Sequence, residues 1–265
     1  MLHAPAQTLR RVVPRQTCLA LREYSTGTIS VEEDTRRSLR ELLRETAQAV
    51  AVVTSLMPAS ELQDTQNGVH SQENPLSKGF HGATLSSFTS IALDPHPLVA
   101  FSLRVPSRMA TSLNIGTIPT NSSFPPSSHM VINILSASQP HIAQIFSRPD
   151  LHPRPFEDVT IGWTSSAEGL PILEGALGAL SCSVVGRSIP LSNVRWLWRR
   201  GEENDDEVQQ VEGSSGLGSE LFIARVLRVE KTQNLASGGE GDSLRTLPLL
   251  YHRRQYGTVR DLPRS

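Results

Sequence analysis

Between Gly79 and Met109 the chain reads GFHGATLSSFTSIALDPHPLVAFSLRVPSRM, and this stretch gathers the side chains best suited to hold a small polar ligand. Its first half is dense in hydroxyls, at Thr84, Ser86, Ser87, Thr89 and Ser90. A turn at Asp94-Pro95-His96-Pro97 leads into a short apolar strand, Leu98 to Leu103, and then into a basic turn with Arg104, Ser107 and Arg108. Strand alternation predicts Ala83, Leu85, Ser87 and Thr89 on one face, and Thr84, Ser86, Phe88 and Ser90 on the other. Amides and hydroxyls lining a pocket, with arginines at a helix start, suit a planar heteroaromatic ring carrying a phosphate. Helix N-termini and guanidinium forks both favour phosphate oxygens. The same residues also fit a Ser/Thr-rich barrel strand that ends in an exposed basic turn.

The elements that must position this stretch are legible on either side. Leu39, Leu42, Leu43 and Ala47 recur at helical spacing, predicting an amphipathic helix from about Glu32 to Gln48, capped by Ser30 or Thr35. The valine-rich run Ala49 to Thr54 predicts a buried strand. Residues 57–78 are polar and aperiodic, which predicts a loop leading into the hydroxyl-rich block, either a lid or a bystander; Ile118 to Ser128 reads as a second loop. Gln139 to Phe146 reads as a short helix opened by Pro140, and Ala179 to Gly186 as a strand. Arg195-Trp196-Leu197-Trp198-Arg199-Arg200, followed by the acidic run Glu202 to Glu207, fits a hairpin edge, or a surface that stacks on a base or a lipid headgroup.

Composition excludes several classes. With 265 residues, 38% hydrophobic residues and a net charge of −1, one large domain or two small ones are available. Near-zero charge gives no long-range attraction to nucleic acid, and no apolar run reaches the roughly 20 residues that a membrane helix needs. Cys18 and Cys182 have no metal-ligand neighbours at useful spacing, and Cys182 alternates with Leu180 and Val184 as a buried thiol would. Residues 1–27 hold Arg10, Arg11, Arg15 and Arg22 against a single acid, Glu23, and read as a mitochondrial transit segment, with the matrix as destination. A disordered tail is the other reading.

The order G-x-x-G-x-T-x-S-S-F-x-S-x-x-x-x-P-x-P-L-V, then a strand and an R-x-x-S turn, resembles the flavin reductase-like family. Val50 to Thr54, the V-N-x-L strand Val131 to Leu135, the Q-x-x-x-A-x-x-F helix Gln139 to Phe146 and the closing Pro248-Leu249-Leu250-Tyr251 follow in the family's order. The resemblance spans residues 36–258, with loops at 57–78, 115–130 and 199–219. It implies an all-β-dominated fold with peripheral helices, the FMN-binding split β-barrel, in which the N-terminal helix would lie across a barrel opening. It also implies FMN as cofactor (FAD being possible), NAD(P)H as co-substrate and a homodimer. Thr84, Leu85, Ser86 and Ser87 would approach the isoalloxazine ring, Ser102, Leu103 and Arg104 the ribityl chain, and Ser107 and Arg108 the phosphate.

One departure stands out. The family's reductases often carry Gly-Asp-His before the strand that here includes Leu221 to Val226, and the matching positions are Leu217, Gly218 and Ser219. His81, His252 and the basic, aromatic edge Arg253, Arg254 and Tyr256 are candidates to meet the second cofactor in its place. An NAD(P)H:flavin oxidoreductase, a non-catalytic flavin-binding or assembly protein on the same barrel, and a nucleic-acid module resting on the Trp/Arg segment are the readings to separate.

Overall fold

The structure is a computed structural model that describes residues 20–57, 79–115, 129–192, 218–230 and 243–259. The chain divides into two compact units, Met1–Thr46 and Ala47–Ser265. In the first, α1 (Ala20–Arg44) begins twelve residues ahead of the predicted start. It takes in the last residues of the predicted transit segment, whose residues 1–19, with Cys18, lie outside the described residues. The stripe expected to be buried is exposed at Leu39, Leu42 and Leu43. No described helix is long and apolar enough to cross a membrane.

The second unit is dominated by strands. Its main sheet runs in the order β3 (Phe80–Leu85), β2 (Ala51–Leu56), β6 (Met130–Ile134), β9 (Gly178–Val184), β11 (Gly218–Glu230), β5 (Leu98–Val105), β4 (Thr89–Ala92), all neighbours antiparallel. Here β1 is Gln48–Ala49, β7 is Trp163–Ser165, β8 is Pro171–Leu173 and β10, on the β11 edge, is Ile189–Pro190. Laid flat, seven strands would separate β3 from β4 by roughly 29 Å. Only Ser86 to Phe88 join the two, and the four steps from Leu85 to Thr89 reach at most about 14 Å. The sheet therefore has to curl, and β3 comes into contact with β5. This is the expected split barrel.

β2 shows why its valine run does not alternate with polar residues. Ala51 and Val53 face the barrel interior with Leu85, Val99, Phe101, Met130, Ile132 and Phe222. Val50 and Val52 face an outer layer with Leu135, Phe146, Phe156 and Leu173. A strand covered on both faces reads as continuously apolar. Inside the barrel, Phe101 and Phe222 are paired in register across β5 and β11, their rings stacked at 5.5 Å and 9°. Cys182 is fully buried, as expected of a structural thiol, and burial pushes it up to about 12.

Two polar devices hold the outer layer. Asn133, in the V-N-x-L strand, takes the Leu173 amide on Oδ1 at 2.8 Å and donates to the Val52 carbonyl at 3.3 Å. Gln139 precedes α3 (Pro140–Ser147), with Pro140 in the first helical turn; the Ser136 amide donates to its Oε1 at 3.0 Å, and its Nε2 donates to the Glu174 carbonyl at 2.7 Å. The C-terminal segment is tied in by a ring of main-chain bonds. Val50 donates to Leu249, Leu249 to Leu135 and Leu135 to Val50, at 3.0, 3.0 and 3.1 Å. That ring sets the start of the hairpin β12 (Leu250–His252) and β13 (Gln255–Gly257), which pairs with β1.

Of the predicted loops, residues 58–78, 116–128 and 199–217 lie outside the described residues, as do the Trp/Arg hexad and the acidic run after it, while Met130 already belongs to β6 and Gly218 and Ser219 to β11. Asn133→Ala should lower the unfolding free energy by about 1–3 kcal/mol, because the buried Leu173 amide loses its acceptor. Urea unfolding measures this, and an unchanged midpoint would refute the role given to Asn133.

Candidate functional site

β5 divides its residues between core and cleft. Val99, Phe101 and Leu103 enter the core, while Ser102 and Arg104 project from the opposite side into a cleft of about 840 Å³. Leu103 also reaches the cleft wall. Beyond β5, Ser107 caps α2 (Arg108–Ile115): its Oγ accepts the Ala110 amide at 3.1 Å, three residues on. The first amides of a helix have no acceptor within it, so the helix start is favourable to an anion. Arg108 lies across this region and donates to the Pro153 carbonyl at 3.4 Å.

The opposite wall comes from β3 and the bend after it. Strict alternation placed Ser86 and Ser87 on opposite faces, but β3 ends at Leu85 and both serines line the cleft. The bend is pinned to β5 through Ser87, whose Oγ accepts the Ser102 amide at 2.8 Å and lies 3.1 Å from Ser102 Oγ. Thr84 also lines the cleft, yet its hydroxyl donates to the Ala143 carbonyl at 2.7 Å and so tethers α3. Leu85, expected to approach a ring through its main chain, is not among the lining residues. Its side chain is 1% exposed and packed in the core, which leaves only its main chain for a ligand.

Sequence reasoning missed the third wall. Ile145, Phe146, Ser147, His152, Pro153 and Pro155 line the cleft from α3 and the segment that follows it. Their sequence signal was only a helix followed by a proline-broken turn, with nothing to say what the turn faces. Gly82 makes the approach possible, since a Cβ there would lie 2.6 Å from the Phe146 ring. Tyr251 and Tyr256 add an aromatic border, and Ser219 enters opposite Arg104 in the β11–β5 ladder. The position that carries a histidine in the resemblance thus does reach the cleft, with a hydroxyl in its place. His252 is not among the lining residues, whereas His81 is.

His81 is 4% exposed, and its Nε2 is buried without a hydrogen-bond partner. Burial, and after it the charge of Arg108, hold the imidazole down at about 4, against a main-chain hydrogen bond at Leu56 that raises it. It is therefore neutral at pH 7. Because the unfolded chain takes up this proton below about 6.5 and the folded one only near 4, stability is lost as pH falls through that window. His81 should account for about 2 kcal/mol of the stability lost between pH 7.5 and 5. Denaturant unfolding of His81→Asn across that range should show a flatter profile; a profile as steep as that of the native chain would contradict it.

Residues 43–260 match the flavin reductase like domain family. The NADH-dependent flavin reductase of a Rhodococcus species is 29% identical over 173 residues, 63% of this chain and 78% of that protein. The crystal structure of a nitrilotriacetate monooxygenase component B homolog from Mycobacterium thermoresistibile has 20% identity and a TM-score of 0.53, covering 88% of this chain and 93% of its own. A putative flavin reductase from Haemophilus somnus 129PT has 16% identity and a TM-score of 0.52, covering 84% and 98%. At those identities the two structures speak for the fold. With four-fifths of its length matched and the same strand-dominated architecture, the chain belongs to the flavin reductase-like domain family.

Proposed function

We propose that the cleft binds FMN and that the protein transfers a hydride from NADH or NADPH to it. The observation that carries this is the convergence of the β3–β4 bend, the end of β5 and the capped start of α2 on one cleft. The donor set fits the group. Ser86, Ser87 and Ser102 offer hydroxyls and amides to a polar ring edge and a polyol, and Ser107, Arg104 and Arg108 offer donors and positive charge to a phosphate. A bound flavin supplies the two-electron acceptor.

The residues' part is binding and orientation, since hydride transfer between two cofactor rings needs no obligatory protein acid or base. Tyr251, Tyr256 and Phe146 border the cleft with apolar surface that limits water, while the Ser87–Ser102 contact fixes the wall against which a ring would lie. The Rhodococcus relative's name supports NADH as donor. The serine at position 219 favours a second reading, a flavin-binding protein without nicotinamide activity on the same barrel. Homodimerisation and mitochondrial import belong to the proposal too, the first on the family resemblance and the second on the arginines of residues 1–27.

A chain starting near Thr26 should bind one FMN, followed by fluorescence and equilibrium dialysis, and then oxidise NADH or NADPH. Absence of FMN and FAD binding by folded protein would end the flavin proposal; binding without oxidation would leave the second reading. Arg108→Ala should weaken FMN binding by about 1.5–3 kcal/mol, roughly 10–150-fold, through the loss of a charge-assisted phosphate contact. Unchanged affinity would remove Arg108 from the site.

A further inference from the structure

The hairpin β12–β13 turns through Arg253 and Arg254, with φ of 49° and 65°. A two-residue hairpin turn with both central residues at positive φ suits Asn-Gly, and side chains with a Cβ strain it. Turn formation therefore does not account for two arginines. Both side chains are exposed. The turn persists because its base is fixed: Tyr251 is opposite Gln48 of β1, and Leu249 sits in the ring of bonds with Val50 and Leu135.

Behind the turn comes the His252–Gln255 pair, and after it Tyr251 and Tyr256 are cross-strand partners with ring centroids 5.4 Å apart, both lining the cleft. The cations already assigned, Arg104 and Arg108, come from β5 and α2 and serve the flavin phosphate in the proposed reading. The hairpin thus carries two further arginines at its turn, outside the cleft lining, on the same ribbon as two cleft-lining aromatic rings. At about 840 Å³ the cleft is near the top of the roughly 300–1,000 Å³ range of small-molecule sites.

We propose that the β12–β13 hairpin binds the adenosine diphosphate part of a dinucleotide, with Tyr251 and Tyr256 bordering an aromatic ring and the Arg253–Arg254 turn meeting the phosphates. Guanidinium forks match phosphate oxygens, and adjacent tyrosine faces accept a flat heterocycle. That moiety occurs in NAD(P)H and in FAD. The proposal rests on the cleft being a flavin site, and its test begins with a probe that contains no flavin.

ADP-ribose is titrated calorimetrically into the full chain, into Arg253→Asn/Arg254→Gly and into Arg253→Lys/Arg254→Lys, with thermal unfolding of each. The Asn-Gly variant should keep or raise its unfolding midpoint, since it relieves the strained turn, yet bind ADP-ribose about tenfold more weakly or worse. The lysine pair, which keeps charge without the planar fork, should fall between. FMN affinity should stay within about twofold in all three, since FMN lacks the moiety. A loss of FAD affinity at unchanged KM for NADH assigns the surface to FAD, and a raised KM for NADH in the presence of FMN assigns it to the nicotinamide donor. Equal ADP-ribose affinity in the native chain and the folded variants overturns the proposal, as does a native chain that leaves millimolar ADP-ribose unbound. Failure of FMN binding with ADP-ribose still bound would sink the flavin site alone.

Discussion

The period-two pleat of β5 is the constraint on which the site depends. A strand paired on both edges, to β11 and to β4, cannot rotate its side chains independently. Burying Val99, Phe101 and Leu103 therefore delivers Ser102 and Arg104 to the other side as a consequence of the core. The Phe101–Phe222 stack makes slippage costly, because a one-residue shift of β5 would turn Phe101 away from Phe222 and both polar residues in. The cleft inherits its geometry from hydrophobic packing behind it.

Closure of the sheet comes from a short connection. Since Ser86 to Phe88 are too few to span an open sheet, the bend between β3 and β4 ends up against β5, where Ser87 and Ser102 meet. The main-chain ring of Val50, Leu135 and Leu249 does the corresponding work on the other side, where it sets the hairpin that carries Tyr251 and Tyr256. The ring joins segments far apart in the chain, so its cost is conformational entropy, offset by burial of the residues around it.

The electrostatics of the cleft follow from the same packing. A neutral, buried His81 behind Arg108 leaves guanidinium charge concentrated on the phosphate-favouring side, with no second cation from the imidazole at neutral pH. Ser107 spends its side-chain acceptor on Ala110 and so orders the helix start at the point where an anion is favoured. Thr84 is a caution against counting hydroxyls: it lines the cleft, yet its proton belongs to the Ala143 carbonyl.

By itself the sequence determined what local chemistry controls. The valine run of β2, the apolar strand that became β5, the helix start at the basic turn and the Pro140 start of α3 were all legible, because strand patterning, turn and proline rules act within a few residues. Eight of the nine predicted site residues line the cleft; the ninth, Leu85, turns its side chain inward because the barrel core lies on that side. Only the tertiary structure decided the rest. The exit of Ser86 and Ser87 to one wall, the α3 wall with Pro153 and Pro155, the arrival of Ser219 opposite Arg104 and the tyrosine border all depend on contacts between segments distant in sequence. Periodicity states which face a residue takes on its own element, and closure of the barrel decides what that face meets.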